Sequence, residues 1–242
     1  MADRYFSEKA IVGETILLEA AEAHHLMHVM RAKHGDLVTV FDGSGSECQA
    51  RIERLSRSTV ELAVLSRDLV DRELPLAVTV GVALPKGDRQ KWLVEKLTEL
   101  GVCRLVPLET NRGVAQPVQS ALDRLMRSVV EASKQCGRNR LMQLDASQSA
   151  SSFFSAAAAL PEELRWIAHP GGSRIVDEIE SARSRGSVRS VVVAVGPEGG
   201  FTDEEVAMAV DAGWQRLDLG RRILRIETAA IALAAICGQL QS

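Results

Sequence analysis

The fold of this 242-residue chain is decided by two segments, GPEGGF at residues 196–201 and LGRRILRIETAA at residues 219–230. Each is a glycine-containing turn between an apolar strand and a helix. The first turn follows SVVVAV at residues 190–195, and the second follows WQRLDL at residues 214–219. In open α/β sheets, small ligands bind at the carboxyl ends of neighbouring strands. The two turns are therefore predicted to lie at adjacent strand ends and to form a pocket from backbone N–H and C=O groups.

Strands and helices also alternate upstream of these turns. LAVTVGVAL at residues 76–84 is a continuous apolar strand, of the kind that is buried on both faces. A helix follows at residues 86–102, with Asp88 as its N-cap and Gly101 at its C-terminal end. CRLVPL at residues 103–108 returns as a strand, which completes a βαβ unit. This alternation predicts an α/β domain with a mainly parallel sheet.

The first 75 residues follow a different pattern. Their β-favouring segments are ETILLE at 14–19, LVTVFDG at 37–43, ECQARIERL at 47–55 and TVELAVLS at 59–66. One short helix at residues 22–31 interrupts them, and no helical crossover of βαβ length occurs, so a small β-barrel is predicted. The charged segment at residues 66–76 has the composition of a linker. We therefore predict a β-barrel domain at residues 1–72 and an α/β domain at residues 73–242.

Composition excludes several classes of protein. No apolar run reaches the roughly 18 residues that span a bilayer, and the N-terminus lacks the apolar core of a signal peptide. We expect a cytoplasmic protein without a membrane partner. The four cysteines have neither zinc spacing nor the density of a disulfide scaffold. His24 and His28 have a metal-compatible spacing but no third ligand nearby, so no metal is expected.

The net charge of −3 is unevenly distributed along the chain. Residues 1–75 carry 9 basic and 13 acidic side chains, residues 84–140 carry 11 and 6, and residues 141–242 carry 9 and 13. A basic middle segment between acidic flanks is either a surface that faces phosphates or a helix face that is basic by chance. Charge alone does not decide between the two.

Several common catalytic motifs are missing from the sequence. The strand that ends at Leu84 is followed by PKGDRQ, with one glycine in place of G-x-G-x-x-G. This excludes a dinucleotide-binding Rossmann domain and argues against the common Rossmann-type methyltransferases. The chain also lacks a Walker A motif, HExxH and GxSxG, which excludes the corresponding nucleotidases, metalloproteases and hydrolases.

The two glycine turns resemble the cofactor-binding signature of the SPOUT methyltransferases. More narrowly, the chain resembles the bacterial enzymes that methylate uracil N3 in small-subunit ribosomal RNA. Further matches are HHLMHVMR at 24–31, FDGSG at 41–45, KLTELGV at 96–102, QCGRNR at 135–140 and HP at 169–170. The resemblance implies a PUA-like barrel before a SPOUT domain with a trefoil knot. It also implies a homodimer, S-adenosyl-L-methionine as cofactor, and 16S ribosomal RNA of the small subunit as partner.

Site residues are carried over from the resemblance onto matching positions of this sequence. The predicted cofactor-binding residues are His169, Pro170, Gly196, Pro197, Glu198, Gly199, Gly200, Leu219, Gly220, Ile223, Leu224 and Thr228. Arg225 and Arg138 are predicted to stabilise negative charge on the uracil oxygens, with Glu198 as an orienting group or base. The candidate RNA-binding residues are Arg4, Arg31, Lys33, Lys86, Arg89, Arg112, Gln135, Arg138, Arg221 and Arg222. The chain departs from related sequences at Lys134, commonly acidic, and Met142, commonly proline.

Other interpretations of the same residues stay open. Thr202 and Glu205 form a capping-box pattern, so the first turn has a purely structural role as well. Arg221, Arg222 and Arg225 lie near a helix N-terminus, where cations are electrostatically disfavoured unless an anion is near. As a whole, the chain could be a non-catalytic RNA-binding or ribosome-assembly factor, or a SPOUT enzyme with another RNA target. The modified nucleotide and the acceptor of the N3 proton are not given by the sequence.

Overall fold

The computed structural model describes residues 4–113, 118–156, 162–185 and 188–240. The chain divides into two compact units, Met1–Glu73 with Val130–Leu141, and Leu74–Val129 with Met142–Ser242. The predicted domain boundary after residue 72 lies one residue from the first change of unit. One boundary cannot describe this division, because Val130–Leu141 belongs to the first unit although it follows residues of the second.

The first unit is built on a five-stranded sheet. Its strands are β1 (Arg4–Phe6), β2 (Thr15–Leu18), β3 (Leu37–Phe41), β4 (Ser46–Leu55) and β5 (Val60–Leu69). They lie in the order β1-β3-β4-β5-β2, and every pair except β1–β3 is antiparallel. Helix α1 (Ala20–His24) continues into a π-helical turn, His25–Val29. The prediction that this region is mostly β is confirmed.

Alternating burial along the strands makes the core of the first unit. Ile16 and Leu18 of β2 are buried while their neighbours Thr15 and Leu17 are exposed. Residues Val130–Leu141 attach to this unit through polar contacts. The Nζ of Lys134 lies 2.8 Å from a carboxylate oxygen of Glu22, and the side-chain amide of Asn139 donates to the Val70 carbonyl at 3.0 Å.

The second unit contains a parallel sheet flanked by helices. Its strands are β6 (Ala77–Val82), β7 (Arg104–Glu109), β8 (Gln143–Leu144), β9 (Gln148–Ser149), β10 (Glu163–Arg174), β11 (Ser190–Val195) and β12 (Gln215–Asp218). The helices are α2 (Arg89–Glu99), α3 (Gln119–Cys136), α4 (Ala150–Ser155), α5 (Ile175–Arg185), α6 (Asp203–Asp211) and α7 (Ile226–Cys237). Helix α3 contributes residues to both units. The predicted α/β architecture is confirmed.

Strand order in this sheet is β12-β10-β11-β6-β7-β8, with β9 also pairing with β7, and each pair is parallel. The sequence predicted that the two glycine turns follow adjacent strands. This prediction is wrong, because β10 lies between β11 and β12. Parallel strands place their carboxyl ends at one edge of the sheet. The turns after β6, β7, β11 and β12 consequently share that edge.

An aromatic cluster packs beneath this edge. Phe153 and Phe154 of α4 contact Trp214, with ring centroids 5.4 and 5.3 Å away, and Phe154 also contacts Phe201 at 5.5 Å. The ring of Phe153 packs directly against Gly81 of β6. A Cβ at this position would lie 2.4 Å from the ring, so no larger residue fits without a shift. Within the described ranges, no helix is long and apolar enough to cross a membrane.

Candidate functional site

The first glycine turn is anchored by a buried residue at its C-terminal end and is exposed to solvent at its top. Phe201 is buried in the aromatic cluster, which fixes the residue that leads into α6. A Cβ on Gly196 would lie 3.0 Å from the backbone nitrogen of Phe201, so the tight return of the chain favours glycine. Gly200 has a φ of +69° and donates its N–H to the Pro197 carbonyl at 2.8 Å. Glu198 and Gly199, at the top of the turn, are exposed.

Glu205 holds this turn to a second loop. The predicted capping box is confirmed: the Thr202 N–H donates to Glu205 at 2.8 Å, and the Glu205 N–H donates to the Thr202 hydroxyl at 3.3 Å. The other carboxylate oxygen of Glu205 accepts a 2.8 Å hydrogen bond from the backbone N–H of Asn111. A buried carboxylate thus joins the loop after β7 to the turn after β11.

Arg112 strengthens the same junction. Its Nη1 donates to the carbonyl oxygen of Gly199 at 2.7 Å and lies 3.4 Å from that of Phe201. The sequence placed Arg112 among the RNA contacts. In this structure the Nη1 of the exposed Arg112 side chain is engaged with the backbone of the first glycine turn, and its contact with RNA stays a prediction.

Asp218 organises the second glycine turn. Its two carboxylate oxygens accept hydrogen bonds from the backbone N–H groups of Gly220 at 2.7 Å and Gly171 at 3.0 Å. These hydrogen bonds, with that of Gly220 the larger contribution, lower the pKa of Asp218 from its ordinary value. Gly220 has a φ of +105°, which favours glycine. Asp218 therefore ties the turn after β12 to the HPGG segment of β10.

The HPGG segment, residues 169–172, is a bulge in β10, where the register with β12 shifts between Ala168 and Ser173. A Cβ on Gly172 would lie 2.5 Å from the backbone of Arg216, so the bulge packs directly on the neighbouring strand. The Nδ1 of His169 is buried without a hydrogen-bond partner among the described residues. His169 lines a cleft of about 370 Å³ that includes Asp203 and Val206 of α6.

Arg89, at the start of α2, reaches toward both glycine turns. Its Nη2 lies 3.4 Å from Oε1 of Glu198, and its Nη1 lies 3.6 Å from Oε1 of Glu227. Glu198 belongs to the first glycine turn. Glu227 lies in the first turn of helix α7, which follows the second glycine turn. The sequence assigned Arg89 to RNA; the structure places it between two carboxylates.

A second cleft of about 420 Å³ opens beside Arg89. Its lining residues are Asp88, Arg89, Trp92, Arg225, Glu227 and Thr228. Arg225 occupies the N-cap position of α7 without a side-chain capping bond, and Thr228 is exposed. The site list from the sequence contains neither Trp92 nor Glu227. Glu227 lies inside the segment LGRRILRIETAA at residues 219–230, whereas nothing in the sequence singles out Trp92.

The remaining residues of the second glycine turn point away from the core. Ile223 is 99% exposed, Leu224 is partly buried, and Arg221 and Arg222 are exposed. Neither arginine forms an ion pair within the part of the chain that the structure describes. An exposed isoleucine beside two cations leaves this turn open to a ligand with apolar and anionic parts.

Three other predicted residues lie in the first unit. Arg138 is 3% exposed, and its Nε donates to Glu73 at 3.0 Å, with a further bond from Nη2 to the same carboxylate. Arg4 contacts Glu47 at 2.7 Å and Asn139 at 2.6 Å. Both guanidinium groups are therefore paired with acceptors of the first unit in this structure, and the predicted roles of Arg4 and Arg138 toward RNA would require these pairs to open. Gln135 is exposed, as expected for a contact residue.

Other exposed cations of the first unit keep their predicted role as candidates. Arg31 and Lys33 are exposed at the end of the helical segment. The rings of His24 and His28 lie 4.7 Å apart. Within the described ranges, no group of three or more His, Cys, Asp or Glu residues is arranged to hold a metal.

Comparison with known proteins identifies the family. An RNA methyltransferase domain family matches residues 72–238, and an RNA methyltransferase PUA domain family matches residues 18–65. The ribosomal RNA small subunit methyltransferase E of Synechocystis is 36% identical over 235 residues, which cover 96% of this chain and 76% of that protein. The chain belongs to the ribosomal RNA small subunit methyltransferase E family. The Bacillus subtilis member of this family is 31% identical and aligns over 98% of this chain and 97% of its own length.

Solved structures extend the match to the fold. The Neisseria gonorrhoeae ribosomal RNA small subunit methyltransferase E, bound to S-adenosyl methionine, superposes with a TM-score of 0.88 at 29% identity, covering 99% of this chain and 98% of that one. A Legionella pneumophila protein in complex with the same cofactor gives a TM-score of 0.87 at 30% identity, with coverage of 100% and 97%.

Proposed function

We propose that this protein transfers a methyl group from S-adenosylmethionine to N3 of a uridine in 16S ribosomal RNA of the small ribosomal subunit. The observation that carries the proposal is the arrangement at the carboxyl edge of the parallel sheet. The glycine-containing bulge of β10 and the turns after β11 and β12 lie there, and Arg89 reaches toward Glu198 and Glu227. The Neisseria family member with bound S-adenosyl methionine supports the choice of cofactor.

The residues present fit that cofactor. Gly199 and Gly220 are exposed and Gly196 and Gly200 are partly exposed, so backbone groups of these turns that are not already hydrogen-bonded can approach an adenine edge closely. His169 supplies a nitrogen without a partner among the described residues, and exposed Ile223 supplies an apolar contact. Together with Pro170, Pro197, Glu198, Leu219, Leu224 and Thr228, these residues would hold the cofactor. When bound, the cofactor supplies a methyl group activated by a sulfonium.

The chain's own groups then position and stabilise the reacting uracil. As N3 loses its proton, negative charge spreads onto the uracil oxygens. We propose that Arg225, which is exposed at the N-cap position of α7, stabilises this charge. Glu198 orients Arg89 through their 3.4 Å contact. A charge-stabilising role for Arg138 requires its pair with Glu73 to open, so we rank Arg138 below Arg225.

RNA phosphates are proposed to contact exposed basic side chains. The exposed candidates whose side chains donate to no acceptor among the described residues are Arg31, Lys33, Lys86, Arg221 and Arg222, with Gln135 as a polar contact. Phosphate contacts position RNA without reading its sequence, and binding weakens with added salt. We further propose that the protein works in the cytoplasm as a homodimer. The trefoil knot stays a prediction.

The test combines donor binding with product mapping. Calorimetry with S-adenosylmethionine should give a dissociation constant in the micromolar range, about −8 kcal/mol of binding free energy. Small subunits from cells that lack the gene should accept one methyl group at uridine N3, detected by mass spectrometry of ribosomal RNA fragments. Absence of donor binding would refute the proposal. Donor binding without turnover would favour a non-catalytic factor.

A further inference from the structure

Glu227 is a buried carboxylate whose hydrogen-bonding capacity is not filled. Its side chain is 6% exposed. The nearest cation, Nη1 of Arg89, lies 3.6 Å from Oε1, which is longer than a hydrogen bond. Its Oε2 is closed to solvent and has no partner among the described residues. Leaving a buried acceptor unsatisfied in this way is costly, so a group of this kind calls for an explanation.

The cleft that Glu227 lines also contains groups that complement a carboxylate. Arg89 and Arg225 present guanidinium donors, and Thr228 presents a hydroxyl. Trp92 lines the same cleft with 43% of its surface exposed, so an aromatic face is available to a flat ligand. The cleft thus combines an acceptor, donors and a stacking surface.

Uracil has an edge that matches this set. Its O2 and O4 are acceptors, and the N3–H between them is a donor. The Glu227 carboxylate can accept from N3–H, and the guanidinium groups of Arg89 and Arg225, which line the same cleft, can donate to the two oxygens. Cytosine presents an acceptor at N3, which a carboxylate would repel. Unpaired bases in RNA are commonly recognised by stacking on aromatic side chains together with hydrogen bonds to this edge.

We propose that the cleft binds the target uracil and that Glu227 accepts its N3 proton. This inference rests on the proposed function and names the base that the reaction needs. The proton passes from N3 to the Glu227 carboxylate, and the nitrogen electron pair forms the N–C bond to the methyl carbon. The electron pair of the broken S–C bond stays on sulfur, so the sulfonium becomes a neutral sulfide. Glu227 then loses its proton to water.

Glu198 is a weaker candidate for this step. Its side chain is 53% exposed, so water competes for its oxygens. Glu227 is held in a drier environment, where a hydrogen bond from N–H to a carboxylate is electrostatically stronger. The terminal torsion of a glutamate is broad and two-fold, so either oxygen can turn toward a bound base.

The decisive variant is Glu227→Gln, which keeps the size of the side chain and removes its basicity. We expect turnover on unmethylated small subunits to fall by about 10²- to 10⁴-fold, the range for loss of a general base. The dissociation constant for S-adenosylmethionine, measured by calorimetry, should stay close to that of the wild type. Glu99→Gln is the matched control, since Glu99 lies on α2 outside the cleft and is paired with Lys96. It should retain full turnover.

A modified substrate separates proton removal from other roles. Subunits with 5-fluorouridine in their RNA carry a more acidic N3–H and need a base less. The defect of Glu227→Gln should therefore shrink on these subunits, whereas a defect in folding or positioning would persist. Full turnover by the variant on ordinary subunits, or an undiminished defect on the fluorinated ones, would overturn the proposal.

The donor-binding measurement tells failure of this inference from failure of the proposed function. If the wild-type protein does not bind S-adenosylmethionine, the proposed function fails. If only Glu227→Gln loses donor binding, the carboxylate contacts the donor rather than the uracil, and this inference alone is wrong. If Glu227→Gln does not fold, Trp92→Leu decides: we expect a raised KM for subunits with an unchanged donor dissociation constant. An unchanged KM would contradict the cleft assignment.

Discussion

The guanidinium of Arg112 donates a 2.7 Å hydrogen bond to the carbonyl oxygen of Gly199. The two residues lie 87 positions apart in the sequence and belong to loops that follow different strands, β7 and β11. Asn111, beside Arg112, donates its N–H to Glu205 in the same region. The shape of the first glycine turn therefore depends on the loop after β7 as well as on its own glycines.

Replacing Arg112 with alanine should weaken binding of S-adenosylmethionine. A hydrogen bond from a charged donor contributes about 1.5–3 kcal/mol, so we expect the dissociation constant to rise at least tenfold, within an upper limit of about 150-fold. Calorimetry measures the change, and Arg124→Ala, an exposed arginine of α3, is the control for loss of charge. If Arg112 contacts RNA instead, donor binding would be unchanged and the salt dependence of RNA binding would lose about one unit of slope.

Substitution of Gly81 with alanine should destabilise the second unit. The added Cβ would lie 2.4 Å from the Phe153 ring, which is packed against Trp214 and cannot retreat freely. Overpacking of this kind costs about 1–3 kcal/mol. Denaturant unfolding followed by tryptophan fluorescence measures the change. Gly13→Ala, where no atom lies within 4 Å of the new Cβ, is the control, and equal stability of the two variants would refute the packing argument.

Local sequence predicted the secondary structure of the site but not its long-range partners. The apolar strand SVVVAV, the capping box of Thr202 and Glu205, and the parallel sheet were all predicted correctly, because each depends on residues close together in the chain. The position of β10 between β11 and β12 was missed. Strand order depends on crossover connections, which leave no local pattern in the sequence.

Arginine roles were the least predictable part of the site. Arg4, Arg112 and Arg138 match a basic surface in sequence, yet each is engaged with an acceptor in the fold. An arginine donates equally well to a phosphate, a carboxylate or a carbonyl, so its residue type does not identify its partner. Only tertiary structure decides which acceptor is within reach. In the same way, only the tertiary structure shows that Trp92 and Glu227 line one cleft.

Loss of the Asp218 carboxylate should loosen both segments that it joins. Asp218→Ala removes the acceptor of two backbone N–H groups, those of Gly220 and Gly171. We expect the dissociation constant for S-adenosylmethionine to rise about tenfold, consistent with the loss of one or two such bonds. Since the pKa of Asp218 is lowered below 3.8, this carboxylate stays ionised from pH 7 to about pH 5, and donor affinity should not change over that range on its account. Donor affinity that falls over that range in the wild type but not in Asp218→Ala would contradict this assignment.

Acid should destabilise the first unit through Glu47. Burial raises the pKa of this carboxyl, but hydrogen bonds from Arg72 and Arg4 outweigh burial and lower the pKa to about 2 from an ordinary value of 4.5. A carboxyl whose pKa is lower in the folded than in the unfolded protein stabilises the fold at any pH above its unfolded-state pKa. For Glu47 this stabilisation is about 3 kcal/mol at most. This contribution should be lost as the pH falls from about 4.5 to about 2. Denaturant unfolding of the wild type and Glu47→Gln across this range measures it: the difference in unfolding free energy should be largest near neutral pH and shrink on acidification. A difference that does not depend on pH would show that Glu47 stabilises the unit by packing rather than by charge.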